Sequence, residues 1–184
     1  MRYTALFVFF SLLLPSLVWA DNGVRQQYAT IEYVIVDLDG VDDNMNGIGI
    51  ASNWIISDDF VGGASFSKAS VSDVDVTAWS IGAAYVIAPT PIIDINLGVS
   101  LLNSKVDASG ADSDTESDVG VGATFKIRPA EVFQLEAGLS LVEDTTTLSA
   151  TGRFFFGEDF GVSASIASND DATSTGVGLN WFFK

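Results

Sequence analysis

Large apolar residues recur at every second position over most of the chain, the period of a strand buried on one face. Ile93, Ile95, Leu97, Val99 and Leu101 alternate with Asp94, Asn96, Gly98 and Ser100. Val119, Val121, Ala123, Phe125 and Ile127 alternate with Gly120, Gly122, Thr124, Lys126 and Arg128. Phe133, Leu135, Ala137, Leu139 and Leu141 likewise oppose Gln134, Glu136, Gly138 and Ser140. Extended over the chain, the pattern predicts ten strands, at 28–37, 46–57, 60–68, 76–88, 91–104, 118–129, 132–142, 146–157, 160–168 and 174–183. Eight is the alternative count, reached if the third or ninth strand is mis-cut.

The connectors alternate in character. The second, fourth, sixth and eighth are tight, at Ser57-Asp58-Asp59, Pro89-Thr90, Ala130-Glu131 and Glu158-Asp159. The odd-numbered connectors are acidic and mostly longer, the fifth running from about Lys105 to Glu116. An even set of antiparallel strands, with short turns at one end and longer loops at the other, predicts an all-β transmembrane up-and-down barrel.

Alternation alone also fits a soluble sandwich or a lipocalin-like barrel. Two features favour the membrane. The polar face is small, as in Gly47, Gly49, Ala51 and Asn53, or Gly161, Ser163, Ser165 and Ala167. Small residues suit the concave interior of a narrow barrel, whereas they weaken a solvated strand. Aromatic residues of the apolar face also gather near the tight turns: Tyr28, Trp54, Phe60, Tyr85, Phe125, Phe133, Phe156, Phe160, Trp181 and Phe183. Phe66 and Trp79 fall near the other end. Rings at interfacial depth form the girdles of membrane barrels.

The N-terminus reads as an export signal. Met1-Arg2 is a short positive region, Leu6 to Leu14 is apolar apart from Ser11, and Val18-Trp19-Ala20 places small residues at a cleavage site. A signal peptide over 1–20 and a barrel domain over 21–184 are expected.

Composition narrows the function classes. The 184 residues carry 24 Asp+Glu against 8 Lys+Arg, a net charge of −16, with no His and no Cys. At 48% hydrophobic with 13 Phe, the chain is too apolar for a disordered acidic tail. The negative charge excludes a nucleic-acid partner, which requires clustered Lys and Arg. Without His or Cys there is no Ser-His-Asp or Cys-His set, no thiolate or imidazole metal site and no disulfide. Adjacent acids such as Asp42-Asp43 lie on polar loops with no apolar pocket to tune them, so no enzyme is expected.

Most acids fall in connectors. The inward strand positions hold Glu32, Asp94 and Glu136, and inward basic residues are Lys126, Arg128 and Arg153. Three against three predicts an ionic layer in the lumen, with Asp94–Arg128, Lys126–Glu136 and Glu136–Arg153 as pairs. That layer reads either as a satisfied filling of the lumen or as a constriction limiting ion passage. The first loop, DLDGVDDNMNG, carries Asp37, Asp39, Asp42 and Asp43 around glycines. Hard oxygens at this spacing suit Ca²⁺, although the EF-hand register is not matched, and a solvated acidic loop is the plainer reading. No other cofactor is expected.

The last strand ends Gly178-Leu179-Asn180-Trp181-Phe182-Phe183-Lys184. Gly178, Trp181 and Phe183 resemble the C-terminal insertion signal of Gram-negative outer-membrane proteins. Gly176 stands where that signal has a polar residue, and Lys184 follows its terminal aromatic. The chain from 21 onward resembles the small outer-membrane β-barrels (porin-like, OmpA/OmpX-type). The resemblance implies a cell outer-membrane location with periplasmic termini, lipid and lipopolysaccharide as surroundings, and the barrel-assembly machinery as a partner. It implies no reaction. The expected role is porin-like or structural, with a narrow cation-preferring pore as its sharper form and small cations as what would pass. A surface adhesin, receptor or Ca²⁺-binding barrel acting through the acidic loops is the alternative. The oligomeric state is not fixed by these features.

Overall fold

The computed structural model describes residues 27–39, 43–110 and 112–183; the expected signal peptide lies outside them. Ten strands follow one another: β1 (Tyr28–Leu38), β2 (Met45–Ser57), β3 (Phe60–Val71), β4 (Val74–Thr90), β5 (Ile93–Ala108), β6 (Asp114–Ala130), β7 (Phe133–Val142), β8 (Thr145–Phe156), β9 (Phe160–Ser168) and β10 (Ala172–Phe182). Each pairs antiparallel with its chain neighbours, and β1 pairs with β10 over Tyr28↔Phe182 to Leu38↔Ala172. The barrel is closed, so no strand edge is left to bond water. The near end carries the start of β1, the end of β10 and the even-numbered turns; the far end carries the odd-numbered connectors.

The period of two holds as a sorting of faces. Ile31, Ile50, Leu97, Val119, Leu139, Leu148, Val177 and Leu179 point outward and are exposed, while Ser65, Asn96, Ser100, Lys126, Glu136 and Asn180 point inward and are buried. This is the reverse of a water-soluble domain. Such a continuous apolar exterior is stable only against lipid. Of the aromatics expected on that exterior, Trp54, Phe60, Tyr85, Phe125, Phe156, Phe160 and Trp181 are exposed toward the near end, with Phe66 and Trp79 toward the far end.

The far end differs from the sequence expectation. β5 and β6 continue their ladder through Ser104↔Glu116 and Val106↔Asp114, residues whose Ser/Asp-rich composition reads as loop. Ser72-Asp73 and Glu143-Asp144 are two-residue hairpin turns rather than long loops. Ser72 and Glu143 adopt φ of 49° and 51°, the left-handed geometry that such a turn needs. The polar composition marks where the outward face leaves lipid for water, not where the strands stop. Ion pairs outside the apolar belt mark the same boundary, with Lys68–Asp75 at 3.0 Å and Lys105–Asp107 at 2.7 Å.

Candidate functional site

The interior gathers buried acids, bases and amides from several strands, and it is layered along the barrel axis. At the near end, Tyr28, Phe155 and Phe182 form a buried aromatic cluster. Their ring centroids lie 5.6 Å (Tyr28–Phe182) and 5.1 Å (Phe155–Phe182) apart. Tyr28 therefore faces the lumen and is not part of the external girdle. Strand pairing fixes this, because Tyr28 shares the inward parity of Thr30 and Glu32.

Above the rings lies the ionic layer. The pairing places Asp94 opposite Lys126, and Lys126 opposite Glu136. Glu136 accepts an ion pair from Lys126 Nζ at 3.7 Å, a second from Arg153, and a hydrogen bond from Gln134 Nε2 at 2.8 Å. Arg153 reaches across the lumen from β8 to β1 and β10. Its Nη2 donates to the Tyr28 hydroxyl at 2.9 Å, and its guanidinium sits 4.6 Å from the Tyr28 ring centroid. Asn180 continues the network: its Oδ1 accepts from Thr30 Oγ1 at 2.7 Å and its Nδ2 donates to Ser163 Oγ at 3.0 Å. Buried charges cost several kcal/mol each unless paired and hydrogen-bonded, which is why the layer gathers so many partners.

Two members of the predicted layer behave differently. Arg128 reaches toward the near turn. Its Nη2 donates to the Glu131 carbonyl at 2.5 Å and its guanidinium lies 5.3 Å from the Phe155 ring centroid, so it belongs to the near mouth. The turn offers it a carbonyl and an aromatic face, while the register sets Asp94 directly opposite Lys126. Glu32 also stands apart, accepting from Ser165 Oγ. A Cβ at position 176 would meet the Glu32 carboxylate and lie 2.6 Å from Ser165 Oγ. Gly176 therefore breaks the terminal pattern because the carboxylate crosses its backbone.

Glu32, Glu136 and Arg153 border a central chamber of about 160 Å³ whose walls mix Ser, Thr and Gly with aliphatic residues such as Val34, Val36 and Ala69. Toward the far end, inward residues of β1 to β5 and β10 form an apolar cluster of Val36, Leu38, Met45, Ala69, Val76 and Val106 with Ala78 and Ala172. Leu102 and Val142 meet beside it. A Cβ on Gly120 would lie 3.0 Å from Leu102 Cδ1 and 3.2 Å from Val142 Cγ2, so the glycine lets the two pack. Sequence reading missed this inward cluster, although Tyr33-Val34-Ile35-Val36 announces it: an apolar run without alternation must send every second residue inward.

No family model and no curated protein matches the chain. Solved structures do. The KdgM porin aligns over 84% of this chain and 99% of its own, at 12% identity and a TM-score of 0.52. The β-domain of the Bordetella autotransporter BrkA covers 85% and 98% respectively, at 13% identity and 0.51. The N-terminal barrel of Pseudomonas aeruginosa OprF aligns at 14% identity over 87% of this chain and 100% of its own, with a TM-score of 0.44.

The chain has the fold of an outer-membrane β-barrel.

Within that fold, the terminal residues take the positions their pattern implies. Trp181 is exposed on the outer wall with its ring 6.0 Å from that of Phe183, and Gly178 faces inward against Ser163. Asp37 projects outward at the end of β1, Asp39 and Asp43 flank the first connection, and Asp42 lies outside the described residues. Among the described residues no three carboxylates converge as metal ligands. Beside that connection, Asp39 N donates to Asp171 O at 2.9 Å, tying the first and ninth connections together. A separate acidic group, Glu116, Asp118, Glu143 and Asp144, lines the far mouth at β6–β7. There Asp118, by charge and by a side-chain hydrogen bond, and then Glu116 and Asp144 by charge, hold the Glu143 carboxyl above its ordinary value.

Proposed function

We propose that the protein is a structural component of the Gram-negative outer membrane, a porin-like barrel closed at rest and without catalytic chemistry. The observation that carries this reading is the stacked lumen. Arg153 and Glu136 bridge its cross-section, with aromatic rings on one side and an aliphatic plug beyond the chamber on the other. A diffusion pore needs a continuous wet path, and an aliphatic constriction excludes ions by dewetting. The termini lie in the periplasm in this reading, because every even-numbered turn of that end is tight, whereas the first and fifth connections of the far end are longer. Its acidic far rim then faces outward, its apolar belt meets lipid and lipopolysaccharide, and Gly178, Trp181 and Phe183 engage the assembly machinery.

A second reading, a narrow cation-preferring pore, draws on the acidic far mouth, whose field would attract cations. Planar-bilayer recording tests both. The closed barrel predicts silence from the wild type and discrete events from Met45→Ser/Val76→Ser, which wets the plug. Steady wild-type conductance would favour the pore.

A further inference from the structure

The outer wall of the barrel carries its cations in one place. Among the described residues, Lys126 and Arg153 are buried in the lumen, and Arg128 lies at the near mouth against the Glu131 carbonyl. Lys68 and Lys105 are the cations of the outer wall, with side chains 55% and 47% exposed. Strand register sets them in a single row across β3, β4 and β5, Lys68 opposite Thr77 and Thr77 opposite Lys105. Strands spaced at ~4.8 Å put the two lysines roughly 10 Å apart with the threonine midway.

The rows on either side fix the depth. On the lipid side, Phe66 pairs with Trp79, and both rings are exposed. On the water side, Ser70 pairs with Asp75, and Asp75 with Asp107. Outward along this wall the order is therefore aromatic, cationic, anionic. Exposed rings settle at headgroup level, so the lysine row stands where lipid phosphates lie. Asp75 and Asp107 hold the two ammonium groups at 3.0 Å and 2.7 Å. Exposed ion pairs of this kind contribute little stability and exchange partners readily. An ammonium has three N–H donors, so pairing with one carboxylate leaves it able to serve a second acceptor.

We propose that Lys68, Thr77 and Lys105 dock a phosphate monoester of an outer-leaflet glycolipid, the phosphorylated lipid A portion of lipopolysaccharide. The two ammonium groups close on the phosphate from either side, the Thr77 hydroxyl donates between them, and Phe66 and Trp79 lie against the start of the acyl chains. A monoester carries about −1.5 to −2 charges at neutral pH, which matches two lysines, whereas a phosphodiester carries one. Charge-assisted hydrogen bonds to phosphate are roughly twice as strong as neutral ones. The site rests on the reading that the far end faces outward, because this glycolipid occupies the outer leaflet. It gives the barrel a preferred side toward lipopolysaccharide, the face of β3 to β5.

Native mass spectrometry of the detergent-purified barrel tests the site with three probes: bisphosphorylated lipid A, the same lipid with its phosphates removed, and inorganic phosphate. The expected result is retention of one lipid A, with neither of the other probes held above background. Lys68→Gln/Lys105→Gln is expected to weaken lipid A binding roughly thirty-fold, and Lys68→Arg/Lys105→Arg to keep it, since a guanidinium also binds phosphate. Equal retention of the dephosphorylated lipid, or equal binding by the glutamine variant, overturns the proposal. Orientation is read separately, by labelling Asp73→Cys on intact cells with an impermeant maleimide. Binding without surface labelling refutes the outward-facing far end, whereas labelling without binding refutes the site.

Discussion

Replacing Glu136 by Gln keeps the shape of the side chain and removes one charge from the centre of the ionic layer. Lys126 is fully buried and the side chain of Arg153 is 7% exposed, so neither can turn to water when its carboxylate is gone. Breaking a buried pair by removing one partner costs about 3–5 kcal/mol. Asp94 remains opposite Lys126 in register and takes up part of the loss, which places the cost near the lower bound, ~3 kcal/mol. With a urea dependence of ~2 kcal/mol per molar, the unfolding midpoint falls by roughly 1.5 M. The assay is equilibrium unfolding in short-chain lipid vesicles followed by tryptophan fluorescence. A second variant separates charge from packing. Glu136→Gln/Lys126→Met removes one anion and one cation together, so the charge balance of the layer is kept, and is expected to recover more than half of the shift. A Glu136→Gln midpoint within about 0.25 M of wild type, the size of an ordinary ~0.5 kcal/mol surface substitution, would refute the claim that the layer carries stability.

Gly176→Ala places a methyl group against Glu32 and Ser165 and is expected to cost about 1–3 kcal/mol. Adding Glu32→Ala should restore most of that loss, and a neutral single variant in the same unfolding assay would contradict the account of the glycine. At the far mouth, the raised Glu143 carboxyl means that the folded state binds its proton more tightly than the unfolded chain does. Repulsion there opposes folding above the folded value and is relieved as pH falls through it. Carboxyl NMR titration should show Glu143 moving back toward its ordinary value in Asp118→Asn, and no movement would remove Asp118 as the cause.

Much of this architecture is legible in the sequence because membrane and lumen impose opposite demands on alternate residues. Glu136 and Lys126 announce their partnership through strand parity and neighbouring strands alone. Where the account needed coordinates, two physical reasons stand out. Strand parity says which face a residue takes only while one face is polar. In Phe154-Phe155-Phe156 and Trp181-Phe182-Phe183 both faces are apolar, so the interior rings Phe155 and Phe182 are hidden among exterior ones. Register within a pair also depends on where each turn tightens. The bulges at Ile87/Thr90 and Ile127/Ala130 shift the near ends of the β4–β5 and β6–β7 pairs, and the unbroken β5–β6 ladder sets Asp94 directly opposite Lys126. Loop boundaries failed for a third reason: Ser and Asp in β5 and β6 reflect water beyond the membrane, and the ladder persists there regardless.

The chain contains no cysteine, which makes single-thiol labelling the most direct test of a closed barrel with lipid outside and a sealed chamber inside. Cysteine placed at Ser100 or Ser140 faces the chamber, at Leu97 or Leu139 it faces lipid, and at Asp73 it sits on the far turn. In folded vesicles a charged, membrane-impermeant maleimide should label Asp73→Cys rapidly and leave the other four unreacted until urea unfolds the protein. A spin-labelled lipid should then quench a fluorophore attached at Leu139→Cys and not one at Ser140→Cys. Labelling of Ser100→Cys and Ser140→Cys as fast as Asp73→Cys would contradict the sealed lumen and establish a continuous water path through the barrel.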